Sequence, residues 1–414
     1  MKRPSSVIAT APSCGVAFSL LILLMNGHAA DWPQWRGANR DGKVSDFKAP
    51  ATWPKELSQK WRVVVGDGVS SPALVGDRLF VMARESGNEV TRCLDAATGK
   101  EQWQDKWEAL PATGPASGYS GPRSSPAVGN GKVITCGLRG TLTCFDAGSG
   151  KILWRKDSVP AAWPTFFTSS SPLLDDGVCI AQLGGQTSGT IVALDLASGA
   201  EKWSWSGDGS QYASPVLATI GNTKVILAQT DKRLVAVRFA DGKLLWDLPF
   251  AGSGRDGMNT ATPIVSGRTL IYSGSGRGIR AVGLDLQGDV FTAQELWANA
   301  DNSIQYNSPV LREGLIYGYS AKDELFCVNA KDGKTLWLSP VAGRRGYGSI
   351  VNAGSVLFIL TPTGILVAFE PNDKEFKQAA SYKVAEGETT AHPIVAGSNV
   401  FVKDKDSVTL WTIE

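Results

Sequence analysis

Histidine, cysteine, net charge and long apolar runs are all scarce in this 414-residue sequence. Each scarcity removes a class of function. Of two histidines, His28 lies in an N-terminal stretch with the marks of a leader, which leaves His392. One histidine does not build a multi-histidine metal site, and a Ser-His-Asp or Cys-His arrangement would have to be centred on it. Past Cys14 there are five cysteines: Cys93, Cys136, Cys144, Cys179 and Cys327. The number is odd and no pair brackets a two-residue gap, so neither a disulfide framework nor a zinc or redox motif is present. Cys136 and Cys144 flank a short turn at Arg139 and Gly140, which leaves a cross-strand pairing open.

Lysine and arginine total 41 against 39 acidic residues, and Met1 to Ala30 contributes Lys2 and Arg3 with no acid, so the rest is balanced at 39 of each sign. A nucleic-acid binder shows a basic excess or stripe, because phosphate neutralisation supplies most of its affinity. None is seen. The main apolar run, Val16 to Met25, is about half the roughly 20 residues a membrane-spanning helix needs. Preceded by Lys2-Arg3 and followed by small residues from Gly27 to Ala30, it reads as a cleavable secretory signal covering residues 1–30. No Cys directly follows the run, so lipid attachment has no residue to use. The expectation is a monomer exported to the periplasm or beyond, not a lipoprotein, with no transmembrane segment after cleavage.

What the sequence does have is a repeat. Leu94-Asp95-Ala96-Ala97-Thr98-Gly99-Lys100 precedes Trp103, and Phe145-Asp146-Ala147-Gly148-Ser149-Gly150-Lys151 precedes Trp154. The pattern returns before Trp203, Trp246, Trp297 and Trp337. A second marker opens each unit: Ser71-Pro72, Ser125-Pro126, Ser171-Pro172, Ser214-Pro215, Thr262-Pro263, Ser308-Pro309, a Pro-less Ser349 and His392-Pro393. Eight openings about 46 residues apart match the period of four short strands in a propeller blade. The turn glycines take positive φ cheaply and the turn aspartates accept from turn amides, so Asp95, Asp146, Asp195 and Asp285 read as turn caps, not catalytic carboxylates. Trp61 stands before the first marker and ends a blade begun elsewhere. The strand around Lys60 to Val65 should therefore complete the unit that starts at His392. The predicted fold is an all-β, eight-bladed propeller of four-stranded antiparallel blades over residues 57–414, closed by the N-terminal strand and preceded by an arm at 31–56.

With this Asp-x-x-Ser/Thr-Gly-Lys-x-x-Trp motif and the Ser-Pro opening, the chain resembles the pyrroloquinoline-quinone (PQQ)-repeat β-propellers. The resemblance implies that each blade-ending Trp docks on the neighbouring blade's turn. Blade seven departs from it: Phe369-Glu370-Pro371-Asn372-Asp373-Lys374 lacks the Gly, and Phe376 is the candidate to stand in for the Trp. The family holds quinoprotein dehydrogenases, with cofactor and calcium in the central funnel under a lid of adjacent disulfide-linked cysteines. It also holds non-enzymatic scaffolds, such as the propeller of the outer-membrane β-barrel assembly machine. This sequence has no adjacent cysteines and is shorter than the usual dehydrogenase, which favours the scaffold side.

No catalytic constellation or metal site stands out. The cysteines Cys93, Cys144 and Cys327 share one small-residue slot with Ala193, which points to packing. Gly184-Gly185 and the Gly274 to Gly278 cluster do not lead into helices and read as hairpin loops. The connections from each Trp to the next marker emerge on one face, at the funnel mouth. They carry Tyr119, Arg123, Trp163, Phe166, Phe167, Arg255, Tyr306, Arg344, Arg345 and Tyr347. Aromatics and Arg dominate binding hot spots. These residues, with His392, are the candidate ligand or partner contacts, although Trp163, Phe166 and Phe167 also suit a plug folded into the funnel. The arm sequence Asp31-Trp32-Pro33-Gln34-Trp35-Arg36-Gly37 is expected to pack across the propeller's side or dock a partner. The leading reading is a non-enzymatic scaffold for an envelope protein or polymer, without a cofactor. A PQQ-dependent oxidoreductase with calcium, acting on alcohols or sugars, and a polysaccharide-binding propeller are the alternatives.

Overall fold

The computed structural model describes Met1 and residues 31–157, 161–252, 257–287, 290–341 and 346–414. Apart from a 3₁₀ turn at Gly114–Ala116, regular structure among these residues is all strand, in eight four-stranded antiparallel sheets. This is the eight-bladed propeller that the repeat predicts. Within blade one the strands Ala73–Val75, Arg78–Glu85, Asn88–Asp95 and Glu101–Glu108 follow one another outward. Short first strands of neighbouring blades lie against each other around the axis. Blade eight joins Ile394–Ala396, Asn399–Lys403 and Ser407–Thr412 to the N-terminal strand Ser58–Val64, paired from Ser58 opposite Thr412 to Val64 opposite Ser407 with a register shift between Gln59 and Trp61. Closing the ring with both chain ends leaves no blade without its outer strand.

Each blade-ending indole reaches the next blade. Trp61, Trp103, Trp154 and Trp297 donate from Nε1 to the carbonyls of Ala96, Ala147, Leu196 and Ala330, at 2.9 to 3.1 Å. Every one of those carbonyls follows the turn Asp or Asn. The turn Gly lies under the ring: a Cβ on Gly150, which sits at φ +72°, would come within 2.5 Å of the Trp103 indole. Glycine is therefore required there twice over, for conformation and for space. The small-residue slot has an equally direct cause. Cys93, Cys144, Ala193 and Cys327 each stand directly across the strand pair from a blade's Trp. The turn aspartates act as caps. Asp95, Asp146 and Asp195 each accept the backbone N–H and the hydroxyl of the Thr or Ser three residues on.

Four expectations change. Asp285 is no turn cap: it pairs with Thr292 inside the long hairpin Ile279–Gln287 and Val290–Asn299, and Arg268 binds its carboxylate at 2.8 Å. Phe376 does not occupy the Trp position of blade seven. It precedes the outer strand Lys377–Lys383 and packs on Trp337 and Phe369, while Ala380 holds the Trp register opposite Ala368. The five described cysteines are free and buried, and Cys136 faces Leu142 while Cys144 faces Ile134, so the two are not cross-strand partners.

The fourth change is the arm, which fills the central channel instead of lying on the side. Trp32 pairs with Leu74 in both directions, Val128 donates to the Pro33 carbonyl, and Asn352 exchanges bonds with Gly42 and Val44. Buried Arg36 donates to the Pro309 carbonyl at 2.6 Å, and Arg40 to those of Pro172 and Ser171. The arm thus touches the inner strands or markers of blades one, two, three, six and seven, and through Trp35 and Trp32 the Thr262 and His392 markers of blades five and eight. Eight blades around one axis leave a wide channel, and large side chains with fixed donors suit it better than water. Burial lowers Arg36 to about 10 and Arg40 to about 9, which is the cost of placing guanidinium groups there.

Candidate functional site

Above the arm, the markers build a ring. The backbone N–H of Ser125 donates to the Ser171 hydroxyl, Ser171 to Ser214, Ser214 to Thr262, Thr262 to Ser308, and His392 to Ser71. Proline cannot donate, so in Ser-Pro the residue before it supplies the N–H and its hydroxyl receives the bond from the preceding blade. The Ser/Thr of the marker is thus an interblade latch. Trp35 of the arm donates to the Thr262 hydroxyl at 2.9 Å and contributes to the floor of the space above.

That space is a cavity of about 280 Å³ at the funnel mouth, and all eight connections between blades line it. The position two residues before each marker faces inward in every blade: Val69, Arg123, Ser169, Tyr212, Thr260, Tyr306, Tyr347 and Thr390. Period-two alternation makes this so, since positions i and i−2 share a side in extended chain. Tyr119, Phe166, Met258, Asn307 and His392 complete much of the wall. Tyr306 and Tyr347 stack with centroids 4.4 Å apart and planes 8° from parallel, and Phe166 meets Tyr212 edge-on at 6.2 Å. The Phe166 N–H donates to the Tyr212 hydroxyl at 3.1 Å, which fixes this corner.

The candidate residues divide. Tyr119, Arg123, Phe166, Tyr306, Tyr347 and His392 share the cavity. Trp163 and Phe167 do not line it. They stack on each other at 6.0 Å, with the Arg139 guanidinium 4.3 Å from the Trp163 ring, and Phe167 is buried against Ala112, Ala116 and Leu138. These two therefore neither plug the funnel nor line its cavity, and of the three only Phe166 faces it. Arg255, Arg344 and Arg345 lie outside the described residues. Sequence reasoning missed Trp35, Tyr212, Met258 and Asn307. Counting two residues back from each marker would have found Tyr212.

Electrostatically the bowl is quiet. Arg123 donates to the carbonyls of Gly121, Ala116 and Tyr119, so its guanidinium braces the 109–126 connection. Burial lowers its pKa and raises that of Tyr212. His392 sits between Trp32, stacked at 6.0 Å, and Trp35, edge-on at 5.7 Å. Burial, helped by nearby Arg36, pushes it down to about 3, so it is neutral at any ordinary pH. No three His, Cys, Asp or Glu side chains among the described residues cluster to hold a metal. A calcium-held quinone needs several oxygen ligands, carboxylates among them. The described lining offers no carboxylate, and its one cation is already bonded to carbonyls, so these residues do not fit that group.

The family model described as "Outer membrane protein assembly factor BamB" matches residues 86–339 and 327–414. A curated protein of that name from Yersinia pestis is 24% identical over 370 residues, covering 83% of this chain and 85% of its own. The crystal structure of BamB from Moraxella catarrhalis superposes with a TM-score of 0.61 at 17% identity, over 86% of this chain and 100% of that one. Quinohemoprotein alcohol dehydrogenase from Comamonas testosteroni gives 0.69 at 15% identity, over 92% and 80%. At such identities the structural likenesses establish the shared propeller alone, and the family model, which matches most of the sequence, gives the membership: the chain belongs to the outer membrane protein assembly factor BamB family.

Proposed function

We propose that this protein is an exported, non-enzymatic propeller that serves outer-membrane protein assembly, as the name of its family states for its relatives. Residues 1–30 act as a cleaved leader, 31–56 as an arm whose first part plugs the channel and 57–414 as the scaffold, working as a monomer in the periplasm without a lipid anchor or cofactor. The mouth face docks a protein partner of the envelope. The observation that carries this is the convergence of all eight connections on one aromatic bowl, while the arm closes the channel beneath. A closed axis argues against passage through the ring, and a face assembled from every blade suits recognition. Leu110, 65% exposed on the 109–126 connection, adds an apolar contact on the same side.

Site-specific photo-cross-linkers at Leu110 and Phe166 in intact cells test the reading. The expected result is a discrete adduct with an outer-membrane assembly protein from both positions and none from Asp77, on the opposite face. Dye reduction with alcohols or sugars in the presence of PQQ and calcium, without any adduct, would overturn it.

A further inference from the structure

We propose that the funnel floor binds a neutral saccharide of one to two rings; this rests on the mouth being the binding face, and adds a small-molecule site to it. A volume of about 280 Å³ is at the small end for ligand pockets, sized for one sugar ring and part of a second. Aromatic faces on two sides, the Tyr306–Tyr347 stack and the Phe166–Tyr212 corner, suit the apolar C–H face of a pyranose. Between them lie hydroxyls with capacity to spare. Ser214 and Ser308 each accept a backbone N–H, which leaves the O–H proton free to donate, and the buried Thr390 Oγ1 has no protein partner. Asn307 lines the cavity beside them, its amide nitrogen donating to the carbonyls of Tyr319 and Gly346, and its Oδ1 is without a protein donor.

Charge selects against the alternatives. No described carboxylate faces the cavity, so a cation finds no counter-ion, and Arg123 is engaged by three carbonyls, so an anion finds no open fork. A flat aromatic ligand would use the faces and displace water from the hydroxyls without replacing its hydrogen bonds, which costs affinity. A polyol ring satisfies both.

Fluorescence titration of the full mature chain with cellotetraose, maltotetraose, fully N-acetylated chitotetraose and tetragalacturonate tests this. At least one neutral probe should bind with a Kd below about 1 mM. Its affinity should hold between about 50 and 500 mM salt, because no charge pair is screened. Tyr347→Ala and Phe166→Ala should each weaken it about tenfold, and Trp163→Ala should leave it within about twofold, since that ring is stacked away from the cavity. Thermal unfolding separates a lost site from a lost fold, and saturation-transfer NMR on the unmutated chain reports contact directly. Absence of binding by every probe at about 5 mM, or salt-sensitive binding of tetragalacturonate alone, overturns the inference. Partner cross-linking that persists through such a failure leaves the docking reading standing by itself.

Discussion

At the residue scale, most of what the repeat spells out serves to join neighbouring blades. The turn Gly makes room for an indole from the preceding blade, the slot residue opposite that indole stays small, and the marker hydroxyl receives the preceding blade's N–H. The residues two before the markers are the exception, since they vary from Val69 to Tyr347 and define the bowl. They were legible only as a position, because nothing in a Tyr or Ser by itself tells which way an extended connection turns it. Aromatic type alone did not separate Phe166, which lines the bowl, from Trp163 and Phe167, which pack against Arg139 of a hairpin turn of blade two. His392 stands where other blades have Ser or Thr, and its environment has a measurable consequence. Folded, it titrates near 3, and unfolded near 6.5, so between these values only the unfolded chain takes the proton. Stability should fall as pH drops from about 6.5 toward 3 by a few kcal/mol from this group. His392→Ser should be less stable at pH 7 and lose less on going to pH 4 in denaturant titrations. Equal losses in both proteins would show that the ring is not the buried neutral group described.

At the element scale, blade count, strand order and closure were all legible, because Trp61 preceding the first marker left only one way to complete the ring. The irregular elements were not. The long hairpin of blade five carries its Asp285 past the usual turn, and no local residue marks that extension. Blade seven lacks its Trp for a reason that only the closed ring supplies. A blade-ending indole docks on the next blade's third-to-fourth-strand turn, and in blade eight that turn does not exist, because Thr412 and Ser58 are the unjoined ends of two segments. Tyr382 and the arm's Trp53 and Phe47 pack there with Phe358 instead. Ala380→Trp, the consensus residue at that register, should therefore overpack and destabilise by about 1–3 kcal/mol, lowering the melting temperature by a few degrees. A rise in melting temperature would mean that blade eight offers a docking surface after all. The arm was legible as buried, from two Trp in four residues, but its destination was not. A side groove and an axial channel demand the same composition, and only the buried pairing of Arg36 and Arg40 with marker carbonyls separates them.

At the scale of the whole molecule, the ring presents two unlike ends. One is closed by a segment that reaches the inner strands or markers of most blades. The other gathers one connection from each of eight blades around a shallow bowl, with Tyr, Phe and Arg concentrated in the arc from Tyr119 to Tyr347 and small residues at Val69 and Thr390. The described lining of the mouth holds no carboxylate, and its one arginine is bonded to backbone carbonyls, so recognition in the bowl rests on short-range packing and hydrogen bonds. Partner affinity should accordingly depend little on salt. Hydrogen–deuterium exchange of the protein alone and with the outer-membrane assembly complex of its own cell tests the central claim most directly. The account predicts slowed exchange in the connections 109–126, 161–172, 207–215 and 300–309, with the turns at Gly76 and Gly177 on the far face unchanged. Protection confined to the far face or to the outer strands, with the mouth exchanging as in the free protein, would contradict it.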